Sequence, residues 1–354
     1  LWYRDPVECI RELIGNPVFR DAMAYAPETL YEGADGKTRI VNEMHTAEWW
    51  MDIQHRLGQK GATIAPVILS SDKTQLTQFR GDVSAWPVYL SIGNISKEVR
   101  RQGSSHATVL IGYLPVAKLT CLTKSKQQFE RYRLFHYCMS LLTKTLATAG
   151  RTGVFMGCAD GMERWIWPIL AAYVADFPEQ CLISCSMESR CPICTVPSDQ
   201  RGTNAPYDWR DMREHLYLLA QSSANHYANQ DCKDRAESLG IRPIFPPFWA
   251  HLLHCDAFRI YTPDLLHQLH KGVFKDHLVK WCTKILGPEE LDACFMSLPS
   301  YKGLRHFSNG ISGVSQWTSA EHKAMEKVFV PLICGSVNNR VIQAARGGNL
   351  NIVS

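Results

Sequence analysis

Three short apolar runs follow one another with only brief polar links between them, at residues 63–71, 86–92 and 106–114. Each has the length of a strand, and continuous apolar character is typical of strands that are buried on both faces. Short links allow neighbouring strands to pair antiparallel, whereas a parallel pair needs a long crossover connection. We therefore expect an antiparallel meander at the centre of an α/β domain.

The sequence after the meander predicts alternating helices and strands. A helix is expected over about 126–149, because its apolar residues recur at helical spacing, and a fourth strand over 153–159, which ends at Asp160. The stretch 162–175, rich in Trp, Ile and Leu, is predicted to be a second helix, and 180–185 a fifth strand. The predicted order is β-β-β-α-β-α-β, and its last strand–helix–strand unit indicates a parallel crossover.

The chain of 354 residues is long enough for two domains, or for one domain with a large insertion. We expect an N-terminal helical appendage over 1–60 and the first part of the core over 61–194. An insertion rich in proline and aromatic residues is expected over 195–315. Residues 316–354 are expected to return to the core through a helix that begins near Thr318.

Composition excludes several classes of protein. Hydrophobic residues make up 45% and charged residues 20%, as in folded rather than disordered chains. No run of about 18 uncharged apolar residues occurs, so no membrane span is expected. Thirteen cysteines without a secretion signal predict reduced thiols in the cytosol or nucleus. The net charge of +4 is too small to predict nucleic-acid binding by itself. The missing initiator Met suggests a piece of a longer protein.

Two aspartates stand where predicted strands end. Asp72 follows the first apolar strand, and Asp160 follows the fourth. Carboxylates at the same end of neighbouring strands would supply the hard oxygen ligands that a divalent metal prefers. Each aspartate also has a structural explanation, because Asp is common in turns and Asp-Gly is a frequent turn dipeptide. Asp176 is a rival candidate, but it follows a predicted helix, which favours a simple helix-stop position.

A third carboxylate, Glu321, begins the last predicted helix. Thr318 and Glu321 have the spacing of a capping box, in which the Glu side chain bonds the backbone at the start of the helix. A catalytic carboxylate on the first helical turn would show the same pattern. Glu326, Asp256 and Asp264 are alternatives for a third acidic residue.

The segment Cys191-Pro192-Ile193-Cys194 has the spacing of a two-cysteine zinc knuckle. Redox motifs share this spacing, but they usually open a helix after the first strand of their domain. The remaining ligands must come from distant residues. His267 and His270 are candidates, because a spacing of three places both on one face of a helix. Further alternatives are His277, His254 and Cys255.

Basic residues form two small groups that would suit phosphate contacts. A solvated helix face is the simpler explanation for any one of them. The groups are Lys97, Arg100 and Arg101, and Lys124, Lys126, Arg131 and Arg133.

Six strings, in order, resemble the Plavaka transposases of basidiomycete fungi, a group related to the CACTA (EnSpm) cut-and-paste elements. The strings extend over essentially the whole chain, and their order makes the resemblance specific. They are PVILSSDKTQL at 66–76, CADG at 158–161, ADFPEQ at 175–180, CPIC at 191–194, PDLLHQLHKG at 263–272 and QWT at 316–318.

The resemblance implies a ribonuclease H-like fold, a mixed sheet flanked by helices. It implies that a large, mostly helical zinc-binding insertion interrupts this core between the second and third acidic residues. It also implies an acidic triad of Asp72, Asp160 and Glu321 that binds Mg²⁺ or Mn²⁺.

A structural zinc site is the second metal centre that the resemblance implies. Its ligands would be Cys191, Cys194, His267 and His270. Related transposases and the vertebrate antigen-receptor recombinase carry such a site in the corresponding insertion.

The function implied is that of a DNA transposase catalytic domain. Such a domain carries out Mg²⁺-dependent phosphodiester hydrolysis and strand transfer at transposon ends. Its partner would be double-stranded DNA, bound as a homodimer or a larger assembly, in the nucleus and away from membranes. The alternative is a catalytically silent, transposon-derived DNA- or protein-binding domain that zinc stabilises.

Overall fold

The computed structural model describes residues 1–33, 36–76, 84–223, 226–314 and 317–353. Within these ranges the chain forms two compact units, Leu1–Thr262 and Pro263–Ser354. None of the helices in the described ranges has both the length and the apolar character needed to span a membrane.

The first unit contains all the strands and eight α-helices of the described ranges. The strands are β1 (Trp2–Tyr3), β2 (Leu30–Glu32), β3 (Thr38–Ile40), β4 (Ala62–Ser71), β5 (Thr74–Gln75), β6 (Ser84–Ala85), β7 (Pro87–Ile92), β8 (Val109–Tyr113), β9 (Val154–Gly157), β10 (Glu163–Val174), β11 (Ser222–Ser223) and β12 (His226–Tyr227). The helices are α1 (Pro6–Gly15), α2 (Glu48–Leu57), α3 (Lys97–Arg100), α4 (Lys124–Leu142), α5 (Lys144–Thr152), α6 (Phe177–Ile183), α7 (Met212–Ala220) and α8 (Gln230–Leu239).

Six of these strands form one mixed sheet in the order β1-β8-β7-β4-β10-β9. The three apolar runs of the sequence correspond to β4, β7 and β8, which pair antiparallel as predicted. β10 lies on the other side of β4 and runs parallel to it. The sheet is therefore an antiparallel meander extended by one parallel strand, with β9 and β1 added antiparallel at the two edges.

The core of the first unit lies around the central strands. Val67 and Leu69 of β4 and Leu90 of β7 are completely buried. Met139 and Leu142 of α4 belong to the same buried cluster. Burying a large aliphatic side chain stabilises a fold by about 1.5–3 kcal/mol. The apolar side chains thus bury the middle of the sheet, and the residues that follow the strands lie nearer the surface.

Two predicted elements are wrong. The stretch predicted as a helix over 162–175 is β10, and the predicted strand over 180–185 lies mostly in α6. Pro168 stands in the middle of β10, where a helix would lose a hydrogen bond and clash with the proline ring. A strand tolerates it here, because β9 pairs only with residues 163–166 of β10. The pairing of β10 with β4 shifts by one residue between Leu170 and Ala172, which leaves Ala171 as a bulge.

The second unit is helical in the described ranges. It consists of a π-helix (Leu265–Val279), α9 (Lys280–Leu286), α10 (Pro288–Met296), α11 (Ser319–Ile333) and α12 (Asn339–Val353). Its core is built on Phe274, Phe295 and Phe329, and the rings of Phe274 and Phe329 meet edge-to-face at 5.3 Å. The helix predicted to begin near Thr318 is therefore confirmed as α11.

Candidate active site

The first candidate carboxylate, Asp72, lies at the exposed end of a buried strand. β4 is buried along almost its whole length, because the segment Ala62–Ser71 is largely apolar. The next residue, Asp72, is exposed. The Thr74 hydroxyl donates a long hydrogen bond of 3.4 Å to Asp72 Oδ2. The carboxylate of Asp72 therefore faces solvent at the carboxyl end of β4, and below we use the word edge for this end of the sheet.

A second carboxylate, Asp176, follows the neighbouring strand at the same edge. The last residue of β10, Val174, is paired with Ser70 of β4. Because parallel strands end on the same side of a sheet, the residues that follow them leave from one edge. Asp176 is the N-cap of α6, and its Oδ1 accepts a 2.9 Å hydrogen bond from Glu179 N. The structure thus brings Asp176 to the edge that carries Asp72.

A third carboxyl group, that of Glu179, is buried next to this edge. Glu179 Oε1 accepts hydrogen bonds from the Ser71 hydroxyl and, at 3.2 Å, from Trp86 Nε1. The Ser71 hydroxyl also lies 2.7 Å from the Tyr173 hydroxyl. These contacts connect the end of β4, the end of β10 and the first turn of α6.

Burial and neighbouring negative charges both act on the carboxyl group of Glu179. Burial raises the pKa of Glu179 to about 7, although hydrogen bonds from Ser71 and Trp86 lower it. The negative charges of Asp176 and Asp72 raise this pKa further. Both aspartates therefore lie close enough to act on one carboxyl group, and such a cluster of like charges is stabilised by a bound cation.

Asp160, the predicted partner of Asp72, lies elsewhere. It follows β9, which is antiparallel to β10, so it stands where β10 begins. β10 begins beside Ala62, at the opposite end of β4 from Asp72. Ten residues of strand separate the two ends by roughly 30 Å. The expectation that these two aspartates converge is therefore wrong.

The contacts of Asp160 explain its place in the turn between β9 and β10. Arg164 Nη1 and Nη2 donate to the two carboxylate oxygens at 2.8 and 2.7 Å. The hydrogen bonds from Arg164 lower the pKa of Asp160 to about 2. Met162 N donates to Asp160 Oδ1 at 3.1 Å, which closes the turn. The alternative explanation of Asp160 as a turn residue agrees with these contacts.

Glu321 lies in the second unit, where it forms the predicted capping box. Glu321 Oε2 accepts from Thr318 N at 2.6 Å, and the Thr318 hydroxyl accepts from Glu321 N at 3.3 Å. The other oxygen, Oε1, pairs with Arg305 at 2.7 Å. The hydrogen bond from Thr318 N is the main cause of the lowered pKa of Glu321. Both carboxylate oxygens therefore have partners within this unit.

The other acidic candidates also have structural partners. Glu326 pairs with His270 at 2.7 Å. Asp264 is the N-cap of the π-helix and accepts from His267 N at 3.0 Å. Asp256 accepts a backbone N–H two residues further along the chain at 3.0 Å. None of these contacts singles out a third catalytic acid.

The two knuckle cysteines form a tight turn in the first unit. Cys191 Sγ accepts hydrogen bonds of 3.4 Å from the backbone N–H groups of Ile193 and Cys194. Arg210 Nε donates to the Cys191 carbonyl at 2.8 Å. Burial raises the pKa of the Cys194 thiol. Both sulfur atoms thus belong to one well-defined turn.

The two candidate histidines lie in the second unit, each beside a carboxylate. His267 Nδ1 is 3.1 Å from Asp264 Oδ2, and His270 Nδ1 is 2.7 Å from Glu326 Oε1. A carboxylate on one ring nitrogen leaves Nε2 as the metal-binding atom, an arrangement common among zinc-binding histidines.

The alternative zinc ligands have other environments. The His277 ring stacks on Trp281 at 5.3 Å. Burial lowers the pKa of His254. Burial raises the pKa of Cys255 to about 12, which disfavours the thiolate that binds zinc.

No three His, Cys, Asp or Glu side chains in the described ranges are arranged as a ready metal-binding group. Asp72 and Asp176 nevertheless fit Mg²⁺, because this ion commonly takes one or two protein carboxylates and completes its shell with water and substrate phosphates. Structural zinc requires four protein ligands. Of the predicted four, Cys191 and Cys194 belong to the first unit, and His267 and His270 belong to the second.

The two basic groups differ in their surroundings. Lys97, Arg100 and Arg101 are each bonded to a nearby backbone carbonyl or glutamate. The second group lies along α4. There, Arg131 Nη2 donates to the carbonyl of Lys118 at 2.9 Å, a contact that fixes the guanidinium without neutralising its charge.

The sequence alone does not single out Asp176 or Glu179 as site residues. The stretch before Asp176 predicts a helix, which favours a helix-stop position for Asp176. The proline in that stretch, Pro168, was the available signal for a strand.

Comparison with known proteins agrees with this picture. A family model described as Plavaka transposase matches residues 1–282 of the chain. The match includes the sheet, both aspartates at its edge, the knuckle cysteines and the two candidate histidines. A search of curated proteins finds no match.

Proposed function

Because this chain belongs to the Plavaka transposase family, we propose that it is the catalytic domain of a DNA transposase. It hydrolyses phosphodiester bonds at transposon ends and joins the freed 3′ ends to target DNA. The observation that carries the proposal is that Asp72 and Asp176 each follow one of two paired parallel strands, at the same end of the sheet.

The proposal includes a ribonuclease H-like core. Its support is the sheet order, in which the meander β8-β7-β4 continues into β10, parallel to β4. The helices α4 and α5 lie in the connection between β8 and β10. In such a sheet, ligands bind outside the carboxyl ends of adjacent strands, where the connections diverge.

Asp72 and Asp176 are proposed to hold the catalytic Mg²⁺ or Mn²⁺. Their support is the hard oxygen chemistry of the two carboxylates and the concentration of negative charge around Glu179. When bound, such ions lower the pKa of an attacking water and stabilise the negative charge on the leaving oxygen.

The other residues of this edge position the two aspartates. Glu179 N holds the carboxylate of Asp176, and the Ser71 hydroxyl ties Glu179 to the last residue before Asp72. Lys73 lines the cleft beside this edge and supplies positive charge for a phosphate. In hydrolysis, the attacking oxygen forms a bond to phosphorus while the bond from phosphorus to the 3′ oxygen breaks, which leaves a 3′-hydroxyl for strand transfer.

The proposed acidic pair replaces Asp160 of the sequence-based triad with Asp176. Glu321 stays the predicted third acid. Its two oxygens are engaged by Thr318 and Arg305, so binding a metal would require one of these contacts to be exchanged.

The proposal also includes zinc binding by Cys191, Cys194, His267 and His270. It further includes action on double-stranded DNA in the nucleus, by a homodimer or a larger assembly. Zinc binding is supported by the paired sulfur atoms of the knuckle and by the two histidines that carboxylates orient.

Cleavage of a DNA duplex with Mg²⁺ or Mn²⁺ tests the function. We expect Asp72→Asn and Asp176→Asn each to lower the cleavage rate at least 100-fold, about 2.7 kcal/mol of transition-state stabilisation. Asp160→Asn is the matched control and should cut within a few-fold of the parent.

Two outcomes would contradict this assignment. Full activity of Asp176→Asn together with loss in Asp160→Asn would return the role to the sequence-based triad. A parent that binds the duplex but never cuts it would favour the catalytically silent binding domain.

A further inference from the structure

Three cavities lie beside α4 and α5, the first on a side of α4 adjacent to the one that lines the other two. The first, of about 200 Å³, is beside the carboxylates, since Trp86 both lines it and bonds Glu179. The second measures about 640 Å³ and the third about 180 Å³. Leu134 lines the first and second cavities, and Ser140 the second and third. The three cavities are therefore neighbours, and together we call them the α4 groove.

The α4 groove is lined by positive charge. Glu130 is the one acidic residue among those that line it, and it pairs with Arg133 at 3.0 Å. The basic lining residues are Lys73, Lys118 and Arg131 in the first cavity, Lys126 and Arg133 in the second, and Lys144, Arg151 and His251 in the third. Because the whole chain carries a net charge of only +4, this excess is local.

The third cavity is the part best suited to phosphate. Lys144 and Arg151 are exposed and stand about two turns apart on the same side of α5. Ser140 and Thr143 line the same cavity, and their hydroxyl groups donate to the carbonyls of Tyr137 and Met139. The positive charges of Lys144 and Arg151 are the usual partners of phosphate oxygens in DNA complexes.

The middle cavity adds exposed aromatic rings. Tyr137 is 62% exposed and Phe245 is 49% exposed, although both are large hydrophobic side chains. Aromatic rings interleaved with basic side chains are typical of surfaces on which unpaired bases stack. The same rings would contact the sugar edges of a duplex.

The dimensions of the α4 groove also fit DNA. From Arg131 to Arg151 the helical rise amounts to roughly 30 Å. This length corresponds to about nine base pairs of a duplex. The groove begins at the carboxylates, so a strand lying in it would continue from the bond that is cut.

We propose that the α4 groove holds the phosphate backbone of the DNA strand that leaves the carboxylate edge. This inference rests on the proposed function, since it takes the position of the cut bond from Asp72 and Asp176. The backbone of a paired strand and that of an unpaired strand offer the same phosphates, and the test separates them.

The experiment measures DNA affinity of the full chain by fluorescence anisotropy, in metal-free buffer and over a range of salt concentrations. The double variant Lys144→Gln/Arg151→Gln removes two charges of the groove and keeps good helix formers. We expect its affinity for a duplex to fall roughly 10- to 50-fold at about 0.1 M salt. The slope of log affinity against log salt concentration should also become shallower, by an amount that corresponds to about two phosphate contacts.

The matched control is Arg20→Gln/Lys60→Gln. Both residues are exposed and basic, and neither lines the α4 groove. This control should bind within twofold of the parent. Equal affinities and salt slopes for the parent and the Lys144→Gln/Arg151→Gln variant would overturn the inference.

A second variant, Tyr137→Ala/Phe245→Ala, identifies the form of the DNA. A greater loss for a single-stranded oligonucleotide than for a duplex supports an unpaired strand in the α4 groove. An equal or smaller loss supports a paired strand.

The failure of this inference can be told apart from the failure of the proposed function. Asp72→Asn/Asp176→Asn should bind DNA at least as well as the parent, because fewer negative charges face the phosphates. If the groove variants bind normally while the aspartate variant cannot cut, the function stands and the α4 groove has another role.

Discussion

The hydroxyl of Ser71 binds the carboxyl group of Glu179, although 108 positions separate them in the sequence. The bond joins the end of β4, which Asp72 follows, to the first turn of α6, which Asp176 caps. The geometry of Asp72 and Asp176 is therefore set by buried contacts before any cation or DNA arrives.

The first prediction concerns cation binding without catalysis. We expect Mg²⁺ to stabilise the parent by about 1.4 kcal/mol at ten times its dissociation constant. Asp72→Asn and Asp176→Asn should lose this stabilisation, because each removes an oxygen ligand. Thermal unfolding with and without Mg²⁺ measures the effect. Asp160→Asn is the control, and an equal loss in that variant would argue against the edge as the binding site.

The second prediction concerns the core beneath the site. Leu69 is fully buried in β4, whereas Leu76 is 61% exposed. Leu69→Ala should lower the free energy of unfolding by about 2–5 kcal/mol, since it removes buried apolar area and leaves a cavity. Leu76→Ala should change it by less than about 0.5 kcal/mol. Chemical denaturation compares the two, and equal costs would contradict the burial of β4.

The third prediction concerns pH. The His136 ring is completely enclosed, with Nε2 3.0 Å from the Leu182 carbonyl, and burial lowers its pKa to about 4. An unfolded histidine has a pKa near 6.5. Between these values the unfolded chain binds the extra proton, so stability falls as the pH drops from about 6.5 towards 4.

This loss should approach 3 kcal/mol for His136 and should vanish above about pH 7. His136→Gln should flatten the pH dependence in that window, while the exposed control His55→Gln should not. His215, whose pKa burial lowers to about 3, adds a contribution that both variants retain. Unfolding free energies measured at pH 7, 6 and 5 decide the matter. An unchanged slope in His136→Gln would mean that its ring charges freely.

The fourth prediction concerns the capping box of α11. Thr318→Ala and Glu321→Ala should each cost about 1 kcal/mol in the second unit, because each removes one of the reciprocal hydrogen bonds. The double variant should cost less than the sum, since both changes break one motif. Hydrogen exchange at the start of α11 reports the effect. Lys323→Ala, on the exposed side of the helix, is the control.

The fifth prediction concerns zinc. Purified protein should contain about one zinc per chain, and Cys191→Ser or His270→Asn should lower this content by more than half. The exposed Cys121→Ser is the matched control. Atomic emission spectroscopy measures the metal. Zinc-free protein that unfolds at the same temperature as protein refolded with zinc would speak against a structural site.

Much of the sheet could be predicted from the sequence, because β4, β7 and β8 are continuous apolar runs bounded by polar links. The capping box was equally clear, since its two hydrogen bonds depend on residues three positions apart. Both features depend on residues that are close together in the chain, so a single sequence is enough to predict them.

The second acidic residue could not be chosen correctly in the same way. β10 is apolar from Trp165 to Val174, and an unbroken apolar run carries no period that separates a strand from a buried helix. A helix over 162–175 would make Asp176 the end of a helix rather than of a strand, and this favours Asp160 as the second acidic residue. Only the pairing of β10 with β4, which is a long-range property, reveals that Asp176 belongs beside Asp72.

The bulge at Ala171 sets the alignment of the two aspartates. Before it, paired positions of β10 and β4 differ by 103 in number, and after it they differ by 104. Continued past the last pair, the second register puts Asp176 level with Asp72, whereas the first would put it level with Lys73. The site is thus encoded in a count of residues as well as in their identities. Deleting one residue from β10 would shift Asp176 out of register with Asp72, although every functional side chain would still be present.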